Sequence, residues 1–199
     1  KPLIVNGRPL KSINQYYNKK KAQYQSRLQG NKRTSKRICT LTVKRNNKVT
    51  DYLHKASRLL VNQLVSQGIT TLVIGKNKNM KQDINIGRVN NQNFVNIPFQ
   101  RLIEMISYKC KLVWINVVIQ EESYTSKCSF LDNESIEKHE TYFWKRLNRW
   151  LYQSSKWKII NADVNWALNI LRKHVASIRE ELSFADEVEV CSMPKKVNL

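Results

Sequence analysis

Acidic residues, glycines and long apolar runs are all scarce in this sequence. The chain has 199 residues, of which 35 are Lys or Arg, 15 are Asp or Glu and only 5 are Gly. So few glycines argue against a glycine-rich loop that cradles phosphates, and hence against an ordinary nucleotide-binding enzyme. No segment approaches the ~18–20 apolar residues that a membrane-spanning helix requires, so we expect no membrane partner.

The four cysteines are too far apart for a zinc site. Cys39, Cys110, Cys128 and Cys191 have no partner two to four residues away, which is the spacing of zinc-binding pairs. Isolated cysteines of this kind are typical of reduced thiols in a cytosolic compartment. We therefore expect no bound zinc and a cytoplasmic location, with Cys110 in the core.

Positive charge is what the sequence has in excess. The formal net charge is +20, and the first 50 residues contain fourteen basic side chains and no acidic one. A field of this sign attracts polyanions, and phosphate binding releases the counterions that surround them. Nucleic acid is therefore the expected partner. The alternative is a solvated basic surface or a protein of membrane surfaces.

Alternating helical and strand-like patterns predict an α/β fold. Apolar, β-branched runs predict buried strands at 70–74 and 112–119. Amphipathic periodicity predicts helices at about 12–29, 49–67 and 161–173, and another that begins at Pro98. The aromatic and basic segment 129–160 receives no assignment.

Basic side chains cluster around the first predicted helix, where Tyr16, Tyr17 and Tyr24 are interleaved with lysines. Tyrosines in this pattern stack on bases while the lysines bind phosphates. A solvated helix whose tyrosines pack against the protein explains the pattern equally well. The side chains that we predict to bind nucleic acid are Lys19, Lys20, Lys21, Arg27, Lys32, Arg33, Lys36, Arg37, Lys76, Lys81 and Lys127.

Because acidic residues are few, their positions are informative. Glu121 and Glu122 end a predicted buried strand, and Asp163 begins a predicted helix. Carboxylates that converge from different elements can hold two divalent cations about 3.5–4 Å apart for phosphodiester cleavage. Spacing alone favours a simpler interpretation, in which Asp163 is a helix N-terminal residue and the glutamates are a solvated strand end.

Several motifs in a fixed order resemble the TnpB family of transposon-encoded proteins. They are the segment 6–19, the strand and loop 73–77 with Lys81, the tripeptide 97–99, and the segments 121–129 and 161–165. The resemblance runs from Asn6 to at least Arg172, and several motifs in one order make it specific.

The resemblance implies an RNase H-like (RuvC-type) mixed sheet flanked by helices, incomplete at its N-terminus, over 1–178, with a tail at 179–199. Members of the family are RNA-guided DNA endonucleases of prokaryotes. The implied partners are therefore a guide RNA and DNA, and the implied location is the cytoplasm, in association with the nucleoid. The implied cofactor is Mg²⁺ in a site of three carboxylates.

Carried over to this sequence, the last catalytic aspartate of the family is Asp163. The middle glutamate usually follows the strand that here ends at Ile74, but this chain has Gly75 at that place. In the branch that it resembles, the acid has moved to Glu121 or Glu122. Strand alternation allows only one of these two to face the site, and the register is not known from sequence.

Two departures from the family pattern limit the implied activity. The first catalytic aspartate lies upstream of Asn6 in the family, so we expect the metal site of this chain to be incomplete. We therefore expect Mg²⁺ to bind only when the site is complete, and we expect no DNA cleavage by residues 1–199 alone. The zinc ribbon of the family is degenerate at about 129–160. The alternative functions are a nuclease-dead RNA-guided DNA-binding protein and a decayed transposase-accessory protein. A ribosome-like RNA-binding protein is supported by the net charge alone and not by the ordered motifs.

Overall fold

Helices and strands alternate within residues 2–77, 97–177 and 194–199, which are those that the computed structural model describes. In chain order they are β1 (Leu3–Val5), α1 (Arg8–Gln25), α2 (Lys36–Ser66), β2 (Thr71–Lys76), α3 (Phe99–Lys111), β3 (Asn116–Glu121), β4 (Lys145–Arg146), β5 (Leu151–Gln153), β6 (Ile159–Asn161), α4 (Ala162–Ser177) and β7 (Lys195–Val197). The predicted α/β class is confirmed.

The described residues form two compact units. The helical unit comprises 5–70, 97–115 and 198–199, and therefore α1, α2 and α3. The sheet unit comprises 2–4, 71–77, 116–177 and 194–197, and therefore β2 to β7 and α4. Each unit is described by itself below.

The core of the helical unit lies where α1, α2 and α3 pack together. Its buried side chains are Leu10, Val49, Tyr52, Leu53, Ala56 and Met105. The hydroxyl of Tyr52 donates to the backbone oxygen of Asn6, and burial raises the pKa of Tyr52. Cys110 is fully buried, as the sequence predicted.

Helix α2 is much longer than predicted. It begins at Lys36 and not near Val49, and the side chain of Ser35 caps it by accepting a hydrogen bond from the backbone of Ile38 (3.4 Å). The first half of α2 is mostly polar and basic, so it has little apolar periodicity. This half of α2 is stabilised by packing against α1, a contact that the local sequence pattern does not reveal.

The predicted strand at 112–119 is wrong in its first half. Helix α3 continues to Lys111, and a turn follows in which the backbone N–H of Ile115 bonds to the oxygen of Cys110 (3.0 Å). Trp114 lies in that turn with φ 60° and is 93% exposed. The apolar run therefore begins in a helix end, and β3 starts only at Asn116.

In the sheet unit, β2 and β3 form a parallel pair, from Thr71 opposite Asn116 to Lys76 opposite Glu121. Helix α4 packs against both strands. Strands β4, β5 and β6 form an antiparallel sheet in the segment that the sequence left unassigned, and β1 pairs with β7. Within the described ranges the strands thus lie in sheets of two, two and three, whereas the sequence predicted a single mixed sheet.

The described helices include one of 31 residues, α2, but none of them is both long and apolar enough to cross a membrane.

The core of the helical unit predicts a large effect for Leu53→Ala, because Leu53 is only 1% exposed. We expect a loss of about 2–5 kcal/mol in the free energy of unfolding, measured by urea denaturation. Val65→Ala, on the same helix but 52% exposed, should change it by less than about 0.5 kcal/mol. Equal losses of unfolding free energy in the two variants would contradict the burial of Leu53 in this core.

Candidate functional site

The two adjacent glutamates at the end of β3 have different environments. Glu121 is engaged on both carboxylate oxygens: Lys173 of α4 donates to Oε2 (2.7 Å), while the backbone N–H of Ser123 (2.9 Å) and its hydroxyl donate to Oε1. The hydrogen bonds from Lys173 and Ser123 lower the pKa of Glu121. Glu121 is therefore a charged group whose hydrogen-bonding capacity is largely used inside the protein.

Among the described residues, no lysine or arginine forms an ion pair with Glu122. Burial raises the pKa of Glu122, the charge of Glu121 raises it further, and a hydrogen bond from the backbone of Asn77 acts in the opposite direction. A carboxylate with these surroundings gains much from a cation, because a positive charge would offset both the burial and the neighbouring negative charge.

The carboxylate of Glu122 fills the space beside Gly75. A Cβ atom placed on Gly75 would lie 2.7 Å from Oε2 of Glu122 and would also clash with the side chain of Ile170 on α4. Gly75 pairs in register with Gln120, two residues before Glu122, so Gly75 and Glu122 belong to the same face of the strand pair. The missing side chain at position 75 is thus replaced in space by an acid from the neighbouring strand.

Asp163 lies in the first turn of α4 and is exposed to solvent. The side-chain oxygen of Asn161 caps this helix by accepting from the backbone N–H groups of Asp163 (2.9 Å) and Val164 (3.4 Å). Asp163 and Ile170 are seven residues apart, so they share one face of α4 at a separation of about 10 Å along its axis. Asp163 and Glu122 are therefore presented on the same side of the helix.

Two asparagines of α4 hold the turn that follows Glu122. The amide of Asn169 donates to the backbone oxygens of Thr125 (3.0 Å) and Cys128 (2.7 Å), and the amide of Asn165 also donates to Cys128 (2.9 Å). Both asparagines are at most 1% exposed. Sequence reasoning missed them, although their spacing with Asn161, i, i+4 and i+8, marks a polar stripe along one side of the helix.

Within the described part of the chain, no group of three or more His, Cys, Asp or Glu side chains lies close enough together to hold a metal ion. Glu122 and Asp163 have the hard oxygen donors that Mg²⁺ prefers, so they fit this cofactor in kind. They are two acids, one fewer than the three carboxylates that the resemblance implies.

The predicted nucleic-acid-binding residues are spread over both units. Those of the helical unit lie on α1 (Lys19, Lys20, Lys21), in the connection to α2 (Arg27, Lys32, Arg33) and in the first turn of α2 (Lys36, Arg37). In the sheet unit, Lys76 ends β2 and Lys127 is exposed in the turn after β3. Lys81 lies outside the described residues.

A basic cavity of about 710 Å³ lies along α1 and α2, and we call it the tyrosine groove. Its lining cations are Lys36, Arg37, Lys44, Arg45 and Lys48, and its aromatic side chains are Tyr16, Tyr17 and Tyr24. Sequence reasoning missed Lys44, Arg45 and Lys48 because it began this helix too late. Their spacing from Lys36 and Arg37 by multiples of four residues was the available signal, since residues four apart are neighbours on a helix surface.

The antiparallel sheet of β4, β5 and β6 exposes large aromatic side chains. Trp150 is 54% and Trp157 is 80% exposed, whereas the ring of Trp144 stacks on that of Tyr152 at 3.9 Å. The segment is held by Glu134, which is only 3% exposed and accepts hydrogen bonds from the backbones of Ser129 (2.7 Å) and Phe143 (3.1 Å). A buried carboxylate therefore ties together two parts of this segment.

Two family profiles match the chain. A profile described as a probable transposase (OrfB_IS605) matches residues 2–81, and a profile for the TNB domain of Cas12f1-like proteins matches residues 99–170. No curated protein matches the sequence.

The fold is also similar to that of a chain in a cryo-EM structure of a Cas12f1–sgRNA–target DNA complex. The TM-score is 0.54 at 19% sequence identity, over 78% of this chain. This chain spans 40% of the length of that protein chain. At this identity the similarity shows the fold alone.

The contrast between the two glutamates predicts opposite effects of neutralising them, measured as thermal stability in EDTA. The pKa of Glu122 is raised in the folded state, so the ionised carboxylate destabilises the fold as pH rises above its ordinary 4.5. Glu122→Gln should therefore be more stable than the parent at pH 7, and this gain should disappear at pH values at which the carboxyl is protonated in both states.

The pKa of Glu121 is lowered, so its stabilising effect is present above 4.5 and is lost as pH falls through the folded-state pKa. Glu121→Gln should be less stable at pH 7 by up to about 1 kcal/mol, the size of a partly exposed ion pair. If Glu121→Gln were more stable than the parent at pH 7 and Glu122→Gln less stable, the described environments of the two glutamates would be contradicted.

The close approach at Gly75 predicts that Gly75→Ala is costly, because the new methyl group must displace Glu122 or Ile170. We expect a loss of about 1–3 kcal/mol in the free energy of unfolding by urea denaturation, as for overpacking elsewhere. Gly7→Ala is the matched control, since a Cβ there meets no atom within 4 Å. A loss at Gly75 no larger than at Gly7 would mean that the carboxylate does not occupy this space.

Proposed function

We propose that this chain, which belongs to the TnpB family, acts as an RNA-guided DNA endonuclease with an RNase H-like (RuvC-type) catalytic domain. The observation that carries this proposal is the carboxylate of Glu122 beside Gly75. The family's middle glutamate belongs at the place of Gly75, and Glu122 brings an acid to that place from the adjacent strand.

We assign the role of the middle acid to Glu122 and not to Glu121. Both oxygens of Glu121 already accept hydrogen bonds from Lys173 and Ser123, and binding a metal would require breaking them. Glu122 has no ammonium partner within the described part of the chain, and burial disfavours its ionised form. Glu121 then has a positioning role, because its ion pair with Lys173 links the end of β3 to α4.

Asp163 is the second acid of the proposed site. Its position in the first turn of α4, beyond the Asn161 cap, leaves its carboxylate in solvent and available to a ligand. Divalent metal ions in such sites activate water and stabilise the departing oxygen of a phosphodiester. In this chain Glu122 and Asp163 would supply two of the ligands, with Mg²⁺ as the expected ion.

The proposed partners are a guide RNA and a DNA target. Support comes from the net charge of +20 and from the rows of cations along α1 and α2. The structure with a similar fold is described as a complex of Cas12f1 with sgRNA and target DNA. Both polyanions would therefore meet a surface of the appropriate sign.

One observation favours the alternative of a nuclease-dead RNA-guided DNA-binding protein. The described residues bring together no cluster of three metal-ligating side chains. Such a protein would use the same basic surfaces for RNA and DNA without hydrolysing the DNA.

Cleavage of plasmid DNA tests the assignment. The protein expressed from its full natural reading frame, and purified with its bound RNA, should cut target DNA in Mg²⁺. Glu122→Gln and Asp163→Asn should each lower the cleavage rate by at least about a hundredfold, the upper end of the loss expected when a metal site loses a supporting residue. Glu121→Gln, which changes the adjacent carboxylate, should keep the rate within about tenfold.

Loss of cleavage in Glu121→Gln with retention in Glu122→Gln would reverse the assignment. A parent protein that binds RNA and DNA but does not cut would contradict the nuclease and support the binding protein.

A further inference from the structure

Positive charge dominates the lining of the tyrosine groove. Among the described residues, five lysine and arginine side chains line it and no carboxylate does. The first acidic residue of the chain, Asp51, is not a lining residue, and its carboxylate is paired with Lys55 at 2.9 Å. A cavity with these walls fits a polyanion.

Its cations form a row along α2. Lys36, Thr40, Lys44 and Lys48 are spaced by four residues, so successive members are about 6 Å apart along the helix axis. The three lysines are exposed, so their ammonium groups are accessible to phosphates. A row of this kind can follow the phosphates of one strand.

Arg45 and Tyr17 are held in the groove by contacts within the protein. The guanidinium of Arg45 donates to the side-chain oxygens of Asn14 and Asn46, both at 2.9 Å, and lies 5.5 Å from the ring centroid of Tyr17. The hydroxyl of Tyr17 is hydrogen-bonded with Thr42 (3.1 Å). Tyr17 is therefore held by its own protein, and its role is structural.

Tyr16 differs from its neighbour. Its side chain is 60% exposed, and within the described ranges it makes no hydrogen bond or ring contact of its own. An exposed aromatic ring beside a row of cations is the arrangement on which proteins stack unpaired bases. The two adjacent tyrosines thus have separate roles, which the sequence pattern left undecided.

The dimensions of the groove favour single nucleotides over a duplex. A volume of about 710 Å³ is that of a pocket for a small organic ligand, within the ~300–1,000 Å³ range typical of such pockets. Bases within a duplex are stacked on each other and are not free to enter a cavity with an aromatic wall. The hydroxyl groups of Ser12, Tyr16 and Thr40 also line the groove and are suitable partners for a ribose 2′-hydroxyl.

We propose that the tyrosine groove binds an unpaired segment of RNA, with one base stacked on Tyr16 and with phosphates bound by Lys36, Lys44 and Lys48. The proposal rests on the proposed function in one respect, namely that the guide RNA provides the strand. It adds to that function a site for single-stranded RNA in the helical unit, formed by residues other than the candidate acids of the sheet unit.

Binding of a labelled single-stranded RNA to the chain, measured by fluorescence anisotropy, tests this site. A uridine-rich RNA of about 12 nucleotides suits it, since single-strand sites span ~4–16 nucleotides. Tyr16→Ala should weaken binding about tenfold, whereas Tyr16→Phe, which keeps the ring, should bind like the parent. The fluorescence of a 2-aminopurine base placed in the RNA should be quenched by the parent and by Tyr16→Phe but not by Tyr16→Ala.

The lysine row is tested by the salt dependence of the same binding. Replacing Lys44 and Lys48 together by alanine should reduce the slope of log K against log salt by about 1.4, which corresponds to two lost contacts with a single strand. The matched control replaces Arg101 and Lys111, two exposed cations of α3 in the same unit, and should leave the slope unchanged.

The remaining outcomes separate the groove proposal from the proposed function. Tyr16→Ala with unchanged affinity and unchanged quenching would exclude stacking, and equal effects on duplex RNA would exclude a single-strand site. Single-stranded DNA bound as tightly as RNA would exclude a site for RNA. If the parent retains its guide RNA and cuts DNA, and the groove variants also cut DNA and bind the single-stranded RNA with the parent's affinity, the groove proposal fails and the proposed function stands. If the parent binds the single strand through Tyr16 but does not cut, the nuclease proposal fails and the groove stands.

Discussion

The hydrogen bonds from Asn165 and Asn169 to the turn after β3 hold the candidate site together. A turn that follows a parallel strand has backbone oxygens with no strand partner, and burial makes an unpaired oxygen costly. The two amides satisfy the oxygens of Thr125 and Cys128, and they attach the turn to α4 at the same time. Because Glu122 precedes this turn and Asp163 belongs to α4, the relative position of the two acids depends on these bonds.

The electrostatics of the sheet unit follow from the same packing. Lys173 is on α4, so the contact between α4 and β3 also decides which of two adjacent carboxylates receives a cation. Glu121 receives it, and Glu122 is left half-buried beside Gly75 with a raised pKa. Two identical side chains, adjacent in sequence, thus acquire opposite properties: one stabilises the fold as an anion, and the other gains from an added cation.

Much of the fold follows from local pattern, and the failures have physical causes. The order of helices and strands, and the helix after Pro98, were predictable because apolar periodicity and turn residues are local signals. The first half of α2 was missed because it is polar, and its burial is supplied by α1. The strand at 112–119 began too early because an apolar run does not distinguish a helix end from a strand. The sheet of β4 to β6 was missed because its strands have only two or three residues.

The sequence by itself determined the charge, the absence of acids from the first 50 residues, and the identity of the three candidate acids, since these are properties of composition and of position along the chain. The resemblance seen in the sequence also implies that Gly75 stands where the family has a glutamate. Only the tertiary structure decided that Glu122 occupies that space, and that Tyr16 is exposed while Tyr17 is held by Arg45 and Thr42. The reason is that these features depend on contacts between residues that are distant in sequence. Lys173 is 52 residues from Glu121, Thr42 is 25 residues from Tyr17, and no local pattern specifies such a contact.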